Sequence, residues 1–284
     1  MKGMADHISS PDGSPAACRI HVGTSGYSYA EWVDAGFYPA GTKSVQMLPL
    51  YAKQFSATEL NYTWYRMPTS DAIERQRQQV GSGFRFAAKL TRTLTHEIDP
   101  QKWPQEALRY REGVAPMLQS RQLAAIMIQL PPSFARTLAN RKHLSALLDR
   151  LDGLPLAVEF RHRSWAVDRV FAELERRRVT LVSVDEPDLP GLFPPLDVVT
   201  CPDFFYVRFH GRNNRGWRSG NMQLQFDYSY SDGQLQEWIQ KRILPMSRRA
   251  GQGIVFFNNH VRAQAVENAL RLRRLLAEDG IDVR

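Results

Sequence analysis

Eight short apolar runs alternate with helically spaced segments along this chain, and that alternation most constrains what it can fold into. The runs are Arg19–Gly23, Thr58–Asn61, Phe84–Leu90, Ala124–Leu130, Leu156–Phe160, Thr180–Asp185, Phe204–Gly211 and Gly253–His260. Short segments dense in Val, Ile and Phe suit strands buried on both faces, as in a parallel sheet. Between them, Leu48, Tyr51, Ala52 and Phe55 recur at helical spacing, as do Leu144, Leu147, Leu148 and Leu151. Val170, Phe171 and Leu174 continue the pattern, and Val266, Ala269 and Leu270 close it. Asp71 with Glu74, and Asp232-Gly233 ahead of Leu235 and Trp238, read as helix starts. Eight strands with intervening helices over about 265 residues predict an α/β fold: a single (β/α)8 TIM-barrel-like domain over 18–284. An open doubly wound sheet is the alternative, but no G-x-G-x-x-G turn follows the first run. The Walker, H-E-x-x-H and G-x-S-x-G patterns are absent too.

Composition narrows the class. A chain of 284 residues with 43% hydrophobic and 23% charged residues can build a core, so whole-chain disorder is excluded. Two cysteines, Cys18 and Cys201, exclude a disulfide scaffold and a cysteine-rich zinc module. Residues 1–17, rich in Ser, Pro, Gly and Asp, read as a disordered tail without the apolar core of a secretory signal. No stretch approaches the length of a membrane span, so a cytoplasmic location and no membrane partner are expected. The net charge of +8 favours anionic partners, although an arginine-rich coding bias gives the same surplus.

In a barrel, chemistry sits at the carboxyl ends of the strands. Here those ends are polar. The first run leads into Gly23-Thr24-Ser25-Gly26; the second carries Glu59 and Asn61; the third carries Lys89, with His96 beyond it. The fourth ends at Gln129, the fifth at Glu159 and Arg161, the sixth at Asp185, the seventh at Arg208 and His210, the eighth at Asn258 and His260. Residues two apart share a strand face, so four of these ends present polar pairs on one side. They predict a site at the barrel mouth. The competing reading is a structural network in which Glu59, Glu159 and Asp185 neutralise Lys89, Arg161 and Arg208.

The same residues carry a family resemblance. The chain resembles the YecE-like family, catalogued as a domain of unknown function. The shared words are Gly23-Thr24-Ser25-Gly26-Tyr27 with Trp32 and Phe37-Tyr38-Pro39, and Glu59-Leu60-Asn61 with Trp64-Tyr65 and Pro68. Phe84-Arg85-Phe86 with Lys89, Thr95-His96, and Gln129-Leu130-Pro131-Pro132-Ser133-Phe134 follow. Glu159-Phe160-Arg161 with Trp165, Val207-Arg208-Phe209-His210-Gly211 and Asn258-Asn259-His260 complete the set. The resemblance implies a TIM-barrel-like fold and a residue set, but no reaction. Tyr27 stands where the family more often has Trp, and Trp64 where it more often has Phe.

Three chemistries fit the residues. In the first, Glu159, Asp185 and His210 hold Mg, Mn or Zn, with Glu59, Asn258 or His260 completing the shell. Arg161 and Arg208 beside those ligands argue against a cation. In the second, a metal-free enzyme clamps a phosphorylated or otherwise anionic ligand, a sugar phosphate or nucleotide, with Lys89, Arg161 and Arg208. Glu159 or Asp185 then serves as base and His210 or His96 as acid, with Glu59 among the catalytic candidates. Asn61, Tyr65, Gln129 and Asn258 are expected to line the ligand, Tyr65 as a wall. In the third, nucleic acid binds without catalysis to Arg212-Asn213-Asn214-Arg215-Gly216-Trp217-Arg218, where Arg215 and Trp217 grip phosphate and stack a base. The first reading makes it a metal-assisted isomerase or phosphodiester hydrolase.

Overall fold

A computed structural model of the chain describes residues 18–284; the expected tail, 1–17, lies outside them. All eight anticipated strands form: β1 Arg19–Ser25, β2 Ala57–Leu60, β3 Arg85–Lys89, β4 Leu123–Gln129, β5 Leu156–Glu159, β6 Thr180–Asp185, β7 Phe204–Phe209 and β8 Gln252–Phe257. They pair in chain order, every neighbour parallel, and β8 closes on β1 from Arg19↔Gln252 to Thr24↔Phe257. The domain is a (β/α)8 barrel.

Two cores follow from the alternation of side chains along each strand. The larger lies between barrel and helices and includes Ile20, Ile126, Val158, Phe209 and Phe257. The smaller fills the barrel with Ala57, Ala87, Ala125 and Ala157 from β2–β5 against Tyr206, Ile254 and Phe256 from β7 and β8. Small residues on one arc leave room for large ones from the other. That asymmetry lets β7 side chains reach across the barrel.

The helices Ser44–Tyr51, Ser70–Arg77, Leu138–Arg150, Asp168–Arg176, Asp232–Trp238 and Gln264–Glu278 sit where spacing or start signals placed them. Thr69, Thr137 and Ser231 cap three of them by accepting backbone N–H bonds. Two features depart from expectation. The longest helix, Trp103–Gln119, gives no clear sequence signal because Pro104, Gly113 and Pro116 interrupt its pattern. Pro104 sits in the first turn, where a missing N–H costs nothing. The β6–β7 connection, 186–203, contains no helix. Pro187, Pro190, Pro194 and Pro195 deny it the donors and backbone angles a helix needs.

Gly113 yields a test. Alanine normally stabilises a helix interior by about 1 kcal/mol relative to glycine. Here an added Cβ would overlap the Pro68 carbonyl oxygen. Gly113→Ala is therefore expected to lower stability, by about 1–3 kcal/mol in urea unfolding, reversing the usual sign.

Candidate active site

The carboxyl end of the barrel holds a network centred on Arg208. This guanidinium comes from the inner face of β7 and is 1% exposed. Nη2 donates to Glu59 Oε1 on β2 at 2.7 Å, and Nη1 donates to Glu159 Oε2 on β5 at 2.6 Å. Both carboxylates are fully buried. Tyr206, one inward position below, donates its hydroxyl to Glu59 Oε2 at 2.5 Å. Glu159 Oε1 also accepts from Arg161 Nε at 2.5 Å and Gln129 Nε2 at 2.8 Å. Burial opposes the charge on Glu159, but Arg161 and Arg208 outweigh it and hold the carboxyl well below its ordinary range. Glu159 is thus a permanent anion with its oxygens engaged.

His210 lies beside the same arginines. Its Nε2 is 3.0 Å from Arg161 Nη2 and 3.4 Å from Arg208 Nη1. A guanidinium can only donate, so Nε2 faces two donors and a protonated ring is disfavoured. Burial, then Arg161, pushes this imidazole down to about 3. His210 is a neutral positioning group at physiological pH, which displaces the acid role its position at the strand end suggested.

Asp185 is not brought to this cluster. The β6 residues that face inward are Val182 and Val184, so Asp185 points out of the barrel. There it accepts from Arg212 Nη2 at 2.6 Å and from the Tyr230 hydroxyl at 2.9 Å. The inward position is taken by Glu186, whose Oε2 accepts from Arg161 Nη1 at 3.1 Å while buried Oε1 has no partner. Burial pushes the Glu186 carboxyl up to about 7. The proposed metal set of Glu159, Asp185 and His210 is therefore not assembled. Among the described residues no three His, Cys, Asp or Glu side chains converge on one point.

Above the network opens a cavity of about 1020 Å³. Tyr29, Trp64, Tyr65, Trp217 and Phe226 contribute aromatic walls, and Asn61, His96, Gln129, Asn258 and His260 line it as well. Its cationic lining groups are Lys89, Arg161, Arg208 and Arg218; its one carboxylate, Glu59, is already paired with Arg208. Trp217 is buried, with its ring 5.8 Å from the Arg161 guanidinium, so it serves the cavity and not an outer surface. Arg215 is exposed and outside the cavity. Arg218 sits at the rim, donating to the Pro190 carbonyl at 2.9 Å. Asn61 donates to the Ser25 carbonyl at 3.0 Å, and Asn258 meets His210 Nδ1 at 3.2 Å. His96 contacts the Thr95 hydroxyl at 2.8 Å and packs edge-on to Trp64; burial, then Lys89, lowers it to about 4.

Lys89 and His260 also face this cavity. Among the described residues, Lys89, the last residue of β3, has no carboxylate oxygen within 4.0 Å of its amine and no side-chain hydrogen bond. Its Nζ lies 4.9 Å from the centre of the Trp64 ring. Burial, then Arg208, lowers the amine to about 7. His260 stacks on Tyr29 with ring centres 4.8 Å apart, and its Nδ1 is 3.0 Å from Glu31 Oε1. Directly after it, Arg262 and Ala263 take left-handed backbone angles, φ 51° and 61°. Such strain in non-glycine residues is held by the surrounding structure and clusters at functional sites. Glu31, Glu186, Tyr206 and Tyr230 were not singled out from sequence, and Arg212 was assigned to nucleic acid, not to Asp185. Strand parity would have found Glu186 and Tyr206; nothing local marks Glu31, which comes from a short helix remote in sequence from His260.

A closed barrel with a ligand-sized, aromatic-walled pocket at its carboxyl face defines the class of this protein. It belongs to the DUF72 family: the family model described as "Protein of unknown function DUF72" matches residues 21–283. YunF of Bacillus subtilis is 26% identical over 271 residues, covering 90% of this chain and 94% of that protein. YecE of Escherichia coli K12 is 27% identical over 147 residues, 50% of this chain and 48% of its own. The crystal structure of a DUF72 protein from Thermotoga maritima has 32% identity and a TM-score of 0.82, covering 91% of this chain and 99% of that one. The YecE-like resemblance and the barrel it implied both hold.

Arg208 gives the sharpest test of the network. Arg208→Met strands two buried carboxylates, so a loss of about 3–5 kcal/mol in urea unfolding is expected. Adding Glu59→Gln and Glu159→Gln removes the stranded charges and should recover part of that loss. Equal stability of the single and triple variants would contradict the pairing.

Proposed function

We propose that this protein is an enzyme performing acid/base chemistry on a phosphorylated or otherwise anionic small molecule, with a sugar or base ring held between aromatic walls. The observation that carries this reading is the basic rim: among the described residues Arg218 pairs with no carboxylate, and the one carboxylate of the lining, Glu59, is held by Arg208. An anionic group is best accommodated at Arg161 and Arg218, which flank Trp217 on the β5–β7 side. Arg161 uses Nε, Nη1 and Nη2 for one protein contact each, which leaves a hydrogen on each terminal nitrogen for a ligand. Lys89 is on β3, four places from β7, whose loop carries Arg218, and two places from β5, which leads into Arg161.

Lys89 and His260 are the proton-transfer groups of this reading. A lysine desolvated to near neutrality can take a proton at physiological pH. His260 with Nδ1–H donated to Glu31 presents Nε2 as a base, an orientation familiar from carboxylate-supported imidazoles. Glu59, Glu159 and His210 keep the floor fixed and charged in advance, so it need not reorganise during reaction. Nucleic-acid binding is less favoured: Trp217 is buried, and Arg215 stands apart from the cavity.

Calorimetry with sugar phosphates and nucleoside monophosphates, each against its neutral parent, tests the reading. Phosphorylated ligands should bind and Arg218→Ala should weaken them by about tenfold, the worth of one charge-assisted hydrogen bond. Neutral parents binding equally well, with Arg218→Ala silent, would overturn it. Tight, salt-sensitive binding of a short oligonucleotide alone would favour the nucleic-acid reading instead.

A further inference from the structure

We propose that Lys89 is a carbonyl-trapping nucleophile, forming an imine with a phosphorylated aldehyde or ketone bound in the pocket. This deepens the reading above and rests on it for the anionic group. Among the described lysines, Lys43, Lys53, Lys102, Lys142 and Lys241 are exposed, whereas Lys89 is half-buried at the floor of a cavity. Among the described residues it has neither a carboxylate within 4.0 Å nor a side-chain hydrogen-bond acceptor; the contact that favours its ammonium form is the face of Trp64. Glu59 and Glu159 are near enough to influence it, yet their oxygens are taken by Arg208, Arg161, Tyr206 and Gln129.

The aromatic face of Trp64 covers the amine and excludes water from one side. A lysine in that setting carries a free lone pair at physiological pH, the requirement for attack on a carbonyl. Its backbone is fixed at the same time: the Lys89 carbonyl accepts from Thr63 Oγ1 at 2.6 Å and from the Tyr110 hydroxyl at 3.0 Å. A nucleophile on a barrel strand held in this way is positioned more precisely than one on a loop.

The step balances without a further reagent. The Nζ lone pair forms a bond to the carbonyl carbon, and the carbonyl oxygen gains a proton to give a carbinolamine. That oxygen then leaves as water with the second amine hydrogen, and the C=N bond forms. No electrons are gained or lost overall. A short substrate would place its phosphate on Arg161 and Arg218 and its carbonyl at Lys89, which line the same cavity.

The experiment is borohydride trapping of the purified full-length protein at pH 7.5 with dihydroxyacetone phosphate and glyceraldehyde 3-phosphate, read by intact mass and peptide mapping. One adduct per chain at Lys89 is expected, exceeding modification at every other lysine by roughly tenfold or more, because an ordinary lysine is almost fully protonated at that pH. Lys89→Arg should remove it, with circular dichroism and melting reporting whether that variant folds. Site mapping on the unmodified sequence keeps the test decisive if it does not. Adducts spread over the exposed lysines, or none, overturn the proposal. Glycerol 3-phosphate, which has no carbonyl, separates the two readings. If it binds while the carbonyl probes leave no adduct, the imine falls and the anionic-ligand reading stands. If it fails to bind and no adduct forms, both fall.

Discussion

One guanidinium holds the carboxyl face of the barrel together. Arg208 lies across the barrel from β7 and neutralises Glu59 on β2 and Glu159 on β5, with all three side chains shut away from water. Each charge would be costly alone at that depth; together they satisfy one another through short, charge-assisted hydrogen bonds. The barrel filling makes the arrangement possible. Alanines on β2 to β5 leave space that Tyr206, Phe256 and the Arg208 side chain enter from β7 and β8.

The same pairing shapes what is left over. Glu159 is fixed as an anion and His210 as a neutral acceptor, so neither is free to exchange protons with a ligand. Lys89 has two carboxylates in its neighbourhood and a hydrogen bond to neither. Burial and the arginine charges then weigh against its protonated form. A structural network and a lysine outside it are thus two results of one distribution of charge. The two readings that the sequence left open are not exclusive: the carboxylates and arginines form the network, and the lysine beside them stands outside it.

Much of this was legible from residue order. Eight apolar runs and the polar residues closing them located the barrel and most of the cavity lining, including Glu59, Lys89, Gln129, Arg161, Arg208 and Asn258. Strand ends alone misjudged direction. Asp185 and Glu186 are adjacent acids at the end of β6, and only the inward parity of Val182 and Val184 tells which one enters the barrel. The Trp103–Gln119 helix was hidden because Pro104, Gly113 and Pro116 obscure a helical pattern that tertiary contact sustains. The Glu31–His260 pair was invisible for a different reason: 229 positions separate its members, and only barrel closure brings them together.

The most direct test of this account is a proton titration of the lysine side chains by carbon-13 NMR of the labelled protein. The account predicts that one lysine, absent from the Lys89→Arg spectrum, titrates near 7 instead of at the ordinary lysine value of 10.5. Every lysine titrating together near that ordinary value would mean that Lys89 keeps its proton, and the central claim would be wrong.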